Sequence, residues 1–246
     1  VGVSSLDGLV QAAYQGLYFR EASRDEIDQA AKFVELYESS TETPQRPMRL
    51  AALPDGRSAI ALSAGVPASI RIAPINELIE SNSDGDFTIE ATVMLHSLYA
   101  DASVRTIVAG WADKNTERGW SLGVTSTKSA YQPRNLILQL VGSRGEEQGK
   151  PEYEVVPSNL RVELNTPYYI AVSIDLDDAS DKGITFYLQD LSKPDAEPQV
   201  AHVAHQARWN VQSNRPIEIG GRSNHHLWDG LVHSVRLHQA ALSRDE

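Results

Sequence analysis

The spacing of apolar residues changes once along this chain, and the change divides it. Over residues 4 to 40 the period is helical. Leu6, Leu9, Val10, Ala13 and Leu17 fall at offsets 0, 3, 4, 7 and 11, one face of a helix. Ile27, Ala30, Ala31 and Val34 repeat that spacing in a second helix. Ser23 and Glu26 form a capping box at its start. The short connection around Arg20 to Ala22 predicts an αα-hairpin over residues 1 to 40. Two helices this short do not bury their stripes alone. Leu6, Leu9, Val10, Ile27, Ala31 and Val34 are therefore expected to be buried, some of them against the rest of the chain.

The polar stretch ESSTETPQRP carries two prolines and marks a linker, placed at residues 41 to 47. From residue 48 to 246 the period is 2. In DFTIEATVML, Phe87, Ile89, Ala91, Val93 and Leu95 share one face, with Thr88, Glu90 and Thr92 on the other. Leu136, Leu138 and Leu140 share a face in NLILQLV, and Tyr168, Ile170, Val172 and Ile174 in YYIAVSID. Ile184, Phe186 and Leu188 do so in GITFYLQD. Turn residues punctuate these runs: Ser83-Asp84-Gly85, Asp177 to Gly183, Lys193-Pro194-Asp195 and Gly220-Gly221. The predicted fold class is mainly β, an antiparallel β-sandwich with an N-terminal helical hairpin. After residue 47, helix is expected only as a turn near Pro74 to Glu80.

Four stretches, in order, resemble the laminin G-like, concanavalin A-like lectin and glucanase jelly-roll family. GRSAIALSAGVPASIRIAP is similar to the family's opening strand pair. GDFTIEATVMLHSL, followed by RTIVAGW, resembles its strand–loop–strand, with Thr92 where the family usually has Trp. NTPYYIAVSIDLDDASDKGITFYLQD resembles its central hairpin, although Leu191 follows Asp190 where Gly is usual. RPIEIGGRSNHHLWDGLVHSVRLHQAALSRDE resembles its closing signature through Ile219, Gly220, Gly230, Val235, Arg236, Ala241 and Leu242. His233 and Ser234 replace the usual acidic pair. The N-terminal helices are similar to helical stretches in large multidomain proteins of planctomycete-type bacteria.

The resemblance implies a concanavalin A-like jelly roll with a non-catalytic binding or adhesion role. The implied partners are a glycan or neighbouring domains of the same polypeptide, and the implied setting is extracytoplasmic, periplasmic, cell-surface or secreted. A glucanase-like glycoside hydrolase and a structural spacer are the alternatives, since one fold hosts many functions.

Composition narrows this picture. A net charge of -11 runs against nucleic acid and anionic membrane surfaces, which call for clustered Lys and Arg. The absence of cysteine removes disulfides and thiolate chemistry. No apolar stretch is long enough to insert into a bilayer. The chain does not start with Met, so it is read as a piece of a longer protein. The second Ser-Arg-Asp-Glu, at 243 to 246, looks like a helix start and points the same way.

For catalysis, retaining glycosidases need two carboxyls roughly 5 Å apart. Glu26-Ile27-Asp28 lies on a predicted helix and Glu90 stands alone on its strand, so no catalytic residue is assigned. Asp175, Asp177, Asp178 and Asp181 cluster in one loop and are the candidates for calcium, although no cofactor is required. His225 and His226 point to opposite faces if extended and fit no zinc motif. Trp111 and Trp120 alternate with strand residues and are expected in the core. Trp228, before a turn, and Tyr131, among polar loop residues, are the expected ligand-binding aromatics.

Overall fold

The computed structural model describes residues 6–8, 10, 11, 14, 20–39, 49–63, 70–72, 86–98, 102–111, 113–143, 151–178, 180–193, 195–207, 211, 215–222 and 225–243. The chain divides into two compact units, Val1–Pro47 and Met48–Glu246.

In the first unit, Leu6, Val10 and Tyr14 are helical, and helix α1 spans Arg24–Ser39. The capping box is in place: Glu26 N–H donates to Ser23 Oγ at 3.4 Å, and Ser23 N–H to Glu26 Oε2 at 2.7 Å. Arg20 grips both oxygens of the same carboxylate. The side chain of Gln11 donates to Ala22 O at 3.0 Å and accepts from Ala22 N at 2.9 Å, tying the first helical segment to the start of the second. Ile27 and Ala22 are buried, whereas Leu6, Val10 and Ala31 are half-buried. Leu9 and the Val34 side chain lie outside the described residues.

The second unit is a sandwich of two antiparallel sheets. Its strands are β1 (Arg49–Ala52), β2 (Ser58–Leu62), β3 (Ile70–Ile72), β4 (Phe87–Leu95), β5 (Val104–Ala109), β6 (Gly119–Thr125), β7 (Asn135–Gly142), β8 (Glu152–Arg161), β9 (Pro167–Ile174), β10 (Ile184–Asp190), β11 (Gln199–Val203), β12 (Ile217–Ile219) and β13 (Gly230–His238). The seven-stranded sheet runs β1-β2-β13-β4-β9-β10-β11, and the six-stranded sheet β3-β12-β5-β6-β7-β8. The stretch expected to open the sandwich as a strand pair behaves differently. β2 joins the larger sheet and β3 the smaller, so they bridge the sandwich instead of pairing. The turn expected at 74 to 80 lies outside the described residues.

Register explains why the apolar set meets in the middle. Phe87 faces Ile174, Ile89 faces Val172 and Ala91 faces Ile170 across β4 and β9, and Ile184 faces Ile174 across β10. Residues paired in this way point to the same side of the sheet. Leu122 opposite Leu138 and Trp120 opposite Leu140 supply the other wall. All of these belong to one buried cluster. Each fully buried Leu, Ile or Phe contributes about 1.5–3 kcal/mol.

At one margin the two sheets are tied together. The carboxylate of Glu154 on β8 accepts the backbone N–H groups of Gln206 and Ala207, which follow β11, at 2.9 and 2.8 Å. His205, buried beside them, places Nδ1 2.8 Å from Ala207 O and Nε2 2.9 Å from Asp175 O.

Candidate binding face

The outward face of the six-stranded sheet carries the side chains that alternate with the core. Ala109 pairs with Ser121, Ser121 with Gln139, and Val141 with Tyr153, so these positions share the side opposite Leu122 and Leu138. Glu218 of β12 joins them through its pairing with Ala109, and Arg71 of β3 through Glu218. The chain beyond β5 adds Trp111, and the chain beyond β12 adds Arg222.

These residues form a stack of rings and cations. The Arg222 guanidinium lies 4.0 Å from the centroid of the Trp111 ring. Trp111 and Tyr153 are 5.9 Å apart and tilted by 52°. The Lys114 ammonium sits 4.8 Å over Tyr153. The quadrupole of each ring attracts the cation on its face. Beneath the stack, Arg222 Nη1 donates to Gln139 Oε1 at 3.5 Å, and Gln139 Nε2 donates to the Tyr153 hydroxyl oxygen at 2.5 Å. Burial pushes the Tyr153 phenol above its ordinary range and outweighs the hydrogen bond from Gln139 and the charge of Arg222. Burial likewise lowers Arg222, opposed by Tyr153 and by Glu218. Arg222 and Trp111 are buried, whereas Tyr153 is 38% and Tyr131 38% exposed. Tyr131 lies in the turn between β6 and β7.

The expected site residues divide accordingly. Tyr131 is exposed in the turn between β6 and β7. Trp228 is not: its ring is 0% exposed and belongs to the core, so no sugar can stack on it. A tryptophan before a turn looks surface-bound in sequence, but the Trp228 side chain packs within the apolar core, and its backbone N–H donates to Gly220 O at 2.9 Å. Trp120 is in the core as expected. Trp111 is buried too, but against Arg222 and Tyr153 on the outer face. Trp209 and Asp84 lie outside the described residues.

The aspartate loop turns its carboxylates inward on the chain. Asp175 Oδ1 accepts the N–H groups of Asp177 and Asp178 at 3.1 and 2.9 Å, and Asp178 Oδ1 accepts that of Ser180 at 2.8 Å. The hydrogen bonds from Ser180 hold the Asp178 carboxyl below its usual range. Among the described residues no group of three or more histidine, cysteine, aspartate or glutamate side chains is placed to hold a metal ion.

Glu90 is held by the Tyr169 hydroxyl at 2.5 Å, His238 Nε2 at 3.2 Å and Arg236 Nη1 at 3.5 Å. Burial favours its neutral form, but the hydrogen bonds from Tyr169 and His238 prevail and hold the carboxyl below the ordinary range. A glycosidase's general acid needs the opposite shift.

Gln139, Tyr153, Lys114 and Arg222 went unassigned in the sequence. Two signals were present: a glutamine at the centre of an otherwise apolar strand, and a tyrosine between glutamates in EYEVV.

With fold and site in view, the chain defines a lectin-type jelly roll. It belongs to the concanavalin A-like lectin/glucanase superfamily, whose sequence model matches residues 69–246. Its fold resembles domain 4 of AbnA, a GH43 extracellular arabinanase from Geobacillus stearothermophilus in complex with arabinotriose. That likeness has a TM-score of 0.51 at 12% identity and covers 82% of this chain and 80% of that one. The enzymatically active domain of tailspike protein 2 from bacteriophage CBA120 matches with a TM-score of 0.50 at 10% identity, over 82% of this chain and 30% of that one. The CBM40 of the Ruminococcus gnavus IT-sialidase matches at 0.44 and 15% identity, over 72% of this chain and 92% of that one. At these identities the first two likenesses establish the fold alone. No curated protein matches the chain. No helix among the described residues is long and apolar enough to cross a membrane.

Proposed function

We propose that the sandwich is a non-catalytic carbohydrate-binding module of a larger extracytoplasmic bacterial polypeptide. It takes its ligand on the outward face of the six-stranded sheet, at Tyr131, Tyr153 and Lys114. The observation that carries this reading is the ring row itself. The half-exposed Tyr153 packs against the buried Trp111 under the Lys114 ammonium, on a sheet face whose other side is core, and Tyr131 is exposed in the turn between β6 and β7. Sugar faces pack on rings, and rings held by neighbours lose little entropy on binding. The similar fold determined with arabinotriose supports the same class of ligand.

A glycan array with the purified chain tests this, followed by titration of the best ligand. Tyr153→Ala is expected to weaken binding about tenfold, the equivalent of roughly 1.4 kcal/mol. An array without a hit, or a Tyr153→Ala variant that binds unchanged, overturns the proposal.

A further inference from the structure

The polarity of the groups around Tyr153 limits what kind of sugar the face accepts. Arg222 is a guanidinium and can only donate. Its Nη1 lies 3.5 Å from the side-chain oxygen of Gln139. That fixes the amide: its oxygen faces Arg222 and its NH2 faces Tyr153, where Nε2 donates to the hydroxyl oxygen at 2.5 Å. With a donor already on its oxygen, the Tyr153 hydroxyl directs its own proton elsewhere. Lys114, on the exposed side of the same ring, has three donors and no acceptor. The indole Nε1–H of Trp111 is buried and meets no acceptor among the described residues. Among the described residues of the stack the one fixed side-chain acceptor, Gln139 Oε1, is already met by Arg222, and the other groups of fixed polarity are donors. The carboxylate that shares the face, Glu218, is only 11% exposed and faces Arg71 at 3.3 Å.

A neutral sugar edge offers hydroxyls that donate as readily as they accept, and among the described side chains of the stack the fixed acceptor, Gln139 Oε1, is already engaged by Arg222. An anionic group offers acceptors alone and is attracted by the Lys114 ammonium. Resting on the carbohydrate-binding reading above, we infer that the ligand is an acidic saccharide, whose carboxylate or sulfate oxygens are met by Lys114 Nζ and the Tyr153 hydroxyl. The chain's net charge of -11 opposes this attraction at long range, so discrimination comes from the local donors.

The test is calorimetric titration of the intact chain with three oligosaccharides of equal length: a uronate oligomer, a sulfated oligomer and a neutral one. At least one anionic oligomer is expected to bind at least tenfold more tightly than the neutral one. The preferred anion tells carboxylate from sulfate. Tyr153→Phe keeps the ring and removes the proton, and Lys114→Met removes the charge from an exposed position. Each is expected to reduce the anionic preference at least threefold. The preference should also shrink as salt rises from 50 mM to 500 mM, because Lys114 is exposed to screening. Equal affinity for neutral and anionic oligomers, or a preference untouched in both variants, overturns this inference while the carbohydrate-binding reading stands. Binding of none of the three at millimolar concentration overturns both.

Discussion

Gly230, the first residue of β13, has φ +156°, and a Cβ placed on it would lie 2.0 Å from Met94 O. The obstacle is backbone, in a strand paired on both sides, so it cannot move aside. Gly230→Ala is expected to cost about 2 kcal/mol or more, read as a lower urea midpoint with unchanged slope. Glu90 gives a prediction in pH. Its carboxyl is held below the ordinary range in the folded chain. A lowered carboxyl stabilises the fold above its unfolded value, roughly 4.3, and that stability is lost as pH falls through the folded value. Urea unfolding at pH 7 and below pH 4 should therefore show Glu90→Gln closing much of its gap to the parent on the acid side. A gap that widens in acid contradicts the assignment.

Among the elements, α1 follows from local chemistry alone, since its capping box and apolar spacing lie within a few residues of one another. The faces of β4, β7, β9 and β10 were legible for a similar reason: alternation of period 2 states which side chains go inward. Which sheet each strand joins was not legible. β2 and β3 are near in sequence and part company because β13 and β12, from the far end of the chain, claim them as neighbours. The margin between β8 and β11 depends on one side chain, Glu154, gripping two N–H groups. Glu154→Ala is expected to destabilise by about 1–2 kcal/mol, with faster amide exchange at Gln206 and Ala207. Uniform exchange across the sandwich would argue that the clasp contributes nothing local.

In the whole molecule, both buried apolar clusters and the side chains packed on them come from residues 51 to 237, all within the second unit. Residues 48–246 are therefore expected to fold when expressed alone. The measurements are a β-dominated far-UV circular dichroism spectrum and a single cooperative melt. A fragment that remains unfolded would show that the core depends on the first 47 residues.

The sequence by itself determined the fold class, the helical start and the inward set of each strand, because those depend on spacing along the chain. Tertiary structure decided the site. Trp111, Gln139, Tyr153 and Arg222 lie on four separate segments and meet only because β12, β5, β6, β7 and β8 are neighbours in that order. The same assembly reassigned the aromatics: Trp228 is buried in the core, while Trp111, with the same alternating appearance in sequence as a core residue, is buried on the outer face of its sheet under a guanidinium. Alternation says that a side chain leaves one face of a strand. Only the assembled sheet says what it then meets.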